Sequence, residues 1–124
     1  MVLDAWAVLA VLEDEPEADH ILALLAVRPA RMSSINLGEV YYQAIRRRGR
    51  RRADEALQDV RQMVSAELPD HELVLAAGRL KARGKISYAD CYAVATAQRH
   101  HEPLVTGDPE ILALDGEVEV IDPR

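Results

Sequence analysis

The sequence predicts an α/β protein, a single domain over residues 1–124 with a mostly parallel central sheet flanked by helices. Two observations carry this. Short apolar runs of strand length, Val2-Leu3, Met32 to Ile35, Pro103 to Thr106 and Val118 to Ile121, alternate with longer stretches whose apolar residues recur at helical spacing. No tight hairpin signal joins the runs, so their connections must be crossovers, and crossovers through helices give a parallel sheet. A chain of 124 residues is near the commonest domain size.

In order along the chain, Val2-Leu3 predicts a buried strand, and Asp4 opens an apolar helix that runs to Leu12. After an acidic turn from Glu13 to Glu17, Ala18, Ile21, Leu24 and Leu25 mark a second helix that Pro29 ends. Met32 to Ile35 is the second strand, with Asn36 the cap of the helix that follows. Leu37, Val40, Tyr41, Ala44 and Ile45 form that helix's stripe, and an arginine run closes it. Ala53, Ala56, Leu57, Val60, Met63 and Val64 predict another helix, and Leu73, Ala76, Ala77 and Leu80 one more between Asp70 and Gly84. Tyr88 to Ala97 is apolar on almost every face, which marks a helix inside the core. His100 and His101 are read as a turn before the two closing strands.

A net charge of −6 argues against a protein that coats nucleic acid over its whole surface, because such binding is mostly phosphate neutralisation. Yet Arg46, Arg47, Arg48, Arg50, Arg51 and Arg52 crowd into one stretch of an otherwise acidic chain, a local attraction for a polyanion or simply a solvated helix end. The longest apolar stretches are too short to span a bilayer, and the first residues have no secretion-signal pattern, so a soluble, cytoplasmic protein without membrane contact is expected. The single cysteine, Cys91, fits a reducing compartment and is expected to be buried. No histidine and cysteine spacing suits zinc.

Four acids stand out. Asp4 and Asp108 directly follow strand-like runs, where ligands collect in parallel sheets. Glu39 and Asp90 sit three residues after Asn36 and Ser87, in patterns that resemble capping boxes. Each acid alone is explained by helix capping. Together they are not, since Asp90 opens a core helix with no Lys or Arg in the next eight residues, and carboxylates 4 Å apart repel by about 4 kcal/mol at an effective dielectric of 20. A cluster of this kind needs cations or shared protons, and its hard oxygens suit Mg²⁺ or Mn²⁺, which can activate water at a phosphate.

Four segments, VLDAWAVLAVL, SSINLGEVYYQAIRR, ISYADCYAVATAQ and PLVTGDPEI, resemble in order the signature blocks of PIN-domain ribonucleases, in particular the VapC-like toxins of VapBC-type toxin–antitoxin systems. The resemblance spans Val2 to Ile111 and implies that Asp4, Glu39, Asp90 and Asp108 bind Mg²⁺ or Mn²⁺ and cleave RNA, with Thr106 in support. It also implies a cognate antitoxin and a homodimer, the latter fitting the apolar stripes on residues 37–48 and 53–64. Arg46, Arg47 and Arg50 are candidate RNA contacts. Many relatives carry Ser or Thr soon after the first aspartate, whereas this chain has Ala5, Trp6 and Ala7. Trp6 is read as core or rim packing, and the four tyrosines as core or dimer contacts.

Two other classes compete. A haloacid-dehalogenase-like phosphatase with Asp4 as nucleophile would want a second aspartate where Trp6 stands, and a receiver domain would want a paired acid near the first strand. A PIN-like module that binds RNA or protein without cutting would lack one of the four acids, and all four are present.

Overall fold

Every strand of the sheet runs in the same direction. In the computed structural model, which describes residues 1–114 and 116–124, they are β1 (Val2–Leu3), β2 (Arg31–Ser33), β3 (Ser65–Glu67), β4 (Leu104–Val105) and β5 (Val120–Ile121). They pair in the order β3-β2-β1-β4-β5, each neighbour parallel. Seven helices join them among the described residues: α1 (Ala5–Leu12), α2 (Ala18–Val27), α3 (Ser34–Arg48), α4 (Arg50–Met63), α5 (His71–Arg83), α6 (Tyr88–His100) and α7 (Pro109–Leu112).

Strand alternation assigns the core. Leu3 and Val105 face one side, with Ala7, Val8, Ile21, Val40 and Val60 from α1 to α4. Val2 and Leu104 face the other, with Leu73, Ala77 and Leu80 of α5 and the α6 side chains. Cys91 to Ala97 of α6 are all buried, as the apolar run predicts. Each large aliphatic side chain hidden this way contributes about 1.5–3 kcal/mol. No helix among the described residues is long and apolar enough to cross a membrane.

Several local expectations are corrected. Ile35 belongs to α3, because Ser33 is the cap and accepts the Ile35 N–H at 3.2 Å. Asn36 is therefore inside the helix. The helix expected from Ala53 begins at Arg50, after Gly49 turns the chain at φ 82°. His100 ends α6, and His101 alone takes the left-handed turn conformation. β3 was not anticipated: Ser65 and Ala66 are exposed, so this edge strand has no apolar pattern, only its pairing with β2. Of the stripes of α3 and α4, Val40, Ala44, Ala53, Ala56 and Val60 are buried within the chain, while Leu37, Tyr41, Ile45, Leu57 and Met63 are partly buried. Ile35 and Tyr42 are the larger apolar residues α3 leaves exposed.

The strand order positions the site. The chain leaves β1 toward β3, then returns to start again at β4 on the other side of β1, so β1 and β4 flank the point where the order reverses. Their carboxyl ends carry Asp4 and Asp108.

Candidate active site

Asp4 follows the central strand directly and begins α1 as its cap. It is 1% exposed. One carboxylate oxygen accepts the Ala7 N–H at 2.9 Å, and the other accepts the Thr106 hydroxyl. Thr106, also fully buried, accepts in turn the Asp108 N–H at 3.0 Å. Asp108 caps α7 by accepting the Glu110 N–H at 2.9 Å, with Pro109 supplying the preset φ of a first helical residue. Thus the ends of β1 and β4 are tied through one hydroxyl.

Glu39 and Asp90 arrive from the helices. Ser87 caps α6 by accepting the Asp90 N–H at 3.1 Å, so the cap rests on the Asp90 backbone. Asn36, which sequence reasoning took for a cap, holds Glu39 instead: its Nδ2 donates to Glu39 Oε1 and to the Ala89 carbonyl, each at 2.9 Å. That amide bridges α3 to the start of α6. Its Oδ1 is buried without a hydrogen-bond partner. The signal for this was a polar residue one turn before an acid on an otherwise apolar helix face.

Glu39, Asp90 and Asp108 line one pocket of about 410 Å³, with Asp4 behind them beneath the surface. Trp6, Leu9, Gln43 and Arg47 line it too, as do Glu13, Glu15 and Glu17, to which no chemistry had been attached. Arg47 is the only basic residue in that lining. It lies 3.8 Å from Glu13, which also pairs with Arg48 at 3.3 Å. Arg46 lies over the Tyr42 ring at 4.9 Å, and Arg50 pairs with Asp54 at 3.3 Å on the far side of Gly49.

The electrostatics follow from that arrangement. Among the described residues, none of Asp4, Glu39, Asp90 and Asp108 has a salt-bridge partner. Burial pushes Asp4 up from 3.8 to about 7, against the pull of Thr106 and Ala7 and with added repulsion from Asp90 and Asp108. Burial also raises Asp90, to about 6, against the pull of the Ser87 hydroxyl and with Asp108, Glu39 and Glu110 adding repulsion. A pocket wall that holds this much uncompensated negative charge on hard oxygen donors is chemically matched to a small divalent cation. Among the described residues no three acidic, histidine or cysteine side chains stand close enough together to hold a metal ion. Glu39, Asp90 and Asp108 instead line an open wall, with Asp4 buried behind it.

A family model described as the PIN domain matches residues 1–117. No curated protein gives a significant sequence match. Among solved structures, the chain is similar to a toxin–antitoxin complex from Klebsiella pneumoniae at 22% identity and a TM-score of 0.75, with 99% of this chain and 97% of that one covered. It is similar to VapC20 of Mycobacterium tuberculosis, a sarcin–ricin-loop-cleaving toxin, at 20% identity and a TM-score of 0.76, covering 92% and 94%. It also resembles DNA-bound VapBC of Salmonella typhimurium, at 16% identity and a TM-score of 0.80, covering 99% and 97%. At these identities the likeness establishes a shared fold.

Proposed function

The chain belongs to the PIN domain family, and on that premise we propose that it is a divalent-metal-dependent endoribonuclease, the toxin of a toxin–antitoxin pair. The observation that carries this reading is a set of carboxylates without salt-bridge partners at the point of strand reversal, three lining one pocket and Asp4 buried behind them, two of the four with raised proton affinity. Asp4, Glu39, Asp90 and Asp108 would hold Mg²⁺ or Mn²⁺. When bound, such an ion supplies an activated water and offsets charge on the attacked phosphate.

The chain's own groups do the rest. Thr106 and the Ala7 N–H keep Asp4 oriented and favour its ionised form. Asn36 keeps Glu39 turned toward the pocket from α3. Arg47, the basic residue of the lining, is the best placed to meet a phosphate, with Arg46 and Arg50 beyond it on either side of Gly49. The RNA substrate and a cognate antitoxin are supported by neighbours described as a sarcin–ricin-loop-cleaving toxin and as toxin–antitoxin complexes. A homodimer belongs to the same reading, with exposed Ile35 and Tyr42 on α3 as its apolar contacts. A cytoplasmic location fits the one buried, unpaired cysteine.

The deciding experiment incubates the purified chain with a mixed pool of structured and unstructured RNAs in Mn²⁺, Mg²⁺ or chelator. Cleavage with either metal and none in chelator is expected. Cleavage that continues undiminished in excess chelator would sink the mechanism.

A further inference from the structure

Trp6 is the chain's single tryptophan, and it projects from the first turn of α1, two residues past Asp4. Packing explains part of it, since it is partly buried against the core on the α1 side of the sheet. It also forms part of the pocket wall shared with Glu39, Asp90 and Asp108. Its six-membered ring fills the space that a side chain at position 107 would need: a Cβ there would stand 2.5 Å from Cη2 and Cζ2 and 3.0 Å from Cζ3. Residue 107 is Gly, between Thr106 and Asp108. The indole is thus wedged against the strand end that delivers an acid of the site, and the missing side chain is what admits it.

The rest of the wall makes this ring unusual. Acids dominate the polar lining, and Arg47 is its only basic residue. Such a wall holds a polyanion poorly through phosphate contacts alone. A rigid aromatic face grips a nucleobase independently of charge, because every base has a flat π-surface, and it favours unpaired bases that can be splayed onto it. Resting on the reading of this pocket as an RNA-cleaving site, we propose that Trp6 is an RNA-binding residue whose indole stacks on an unpaired nucleobase next to the cleaved phosphate.

A lone tryptophan makes the test direct, since fluorescence excited at the red edge of the indole band, beyond the absorption of the four tyrosines, reports on Trp6 alone. The full chain is titrated with a short, unstructured oligoribonucleotide of mixed sequence and with a base-free ribose-phosphate oligomer of the same length. Quenching by the first and not by the second is expected. Equal quenching by both, or none from an RNA that the chain cleaves, would overturn the stacking role and leave the nuclease reading standing. If the chain neither binds nor cleaves the RNA, both fall together. In parallel, Trp6→Leu should raise KM for the oligoribonucleotide about five- to a hundredfold, with Trp6→Phe restoring most of it. An abasic site at the stacked position should cost the parent as much, and cost Trp6→Leu nothing further. Additive losses would count against the contact, and should Trp6→Leu not fold, the parent's fluorescence decides alone.

Discussion

The Thr106 hydroxyl donates to the Asp4 carboxylate across 102 positions of sequence, while accepting the N–H of Asp108. It is therefore a small bracket between the two strand ends. Thr106→Val keeps the shape and removes both bonds, leaving a buried carboxylate and a backbone N–H each short of a partner. We expect a loss of about 1–3 kcal/mol in urea unfolding. The rise of RNA cleavage with pH should also move to higher pH, because a donor that favours ionised Asp4 is gone. An unchanged pH profile in a folded Thr106→Val would show that the hydroxyl does not act on Asp4.

Stability should depend on pH in a direction opposite to that of most proteins in acid. Asp4 and Asp90 keep their protons in the folded chain up to about 7 and about 6. Unfolded, they release them near 3.8. Their favourable contribution to folding is complete below the unfolded value and is lost as pH rises through the folded ones. Acids held low by partners, such as Asp70 against Arg99, act at the acid end and leave this window alone. In chelator, the melting temperature should be at least about 5 °C lower at pH 8 than at pH 5.5. Saturating Mn²⁺ should remove most of the difference, and a flat or rising profile in chelator would contradict the uncompensated cluster.

Asp90→Asn separates chemistry from capping. Ser87 caps α6 through the Asp90 backbone N–H, which the substitution leaves in place. Without metal the variant should melt no earlier than the parent, because one of the mutually repelling charges has gone. Cleavage should fall by roughly a hundredfold or more, and Mn²⁺ should stabilise the variant less, because a neutral amide is a poorer ligand for a hard cation. A variant that melts earlier and cleaves at the parental rate would return Asp90 to a purely structural role.

Much of this was legible in the chain. Val2-Leu3, Leu104-Val105 and the all-round apolar α6 fix the strand and helix alternation through burial alone, and Asp4 and Asp108 fall at the strand ends by position. What could not be read depends on neighbours that are distant in sequence. β3 is held by pairing rather than by an apolar pattern, because Ser65 and Ala66 face solvent. Asn36 looks like a cap until the Ala89 carbonyl, 53 positions away, is beside it. Gly107 carries no sign of the indole that requires it. The arginine cluster, interrupted in sequence only by Gly49, is divided there between two helices.

The strand order also governs when the acidic pocket can assemble during synthesis of the chain. β1 is made first and lies at the centre of the sheet, but its partner β4 and the acid beyond it come last among the residues of the pocket. A nascent chain that has released α1 to α6 from the ribosome still lacks Thr106 to hold Asp4 and Asp108 to complete the acidic wall. Translation fragments that stop before residue 104 therefore carry no assembled pocket, however well their first half collapses. A newly made molecule therefore has no assembled pocket until β4 and the residues that follow it have been translated.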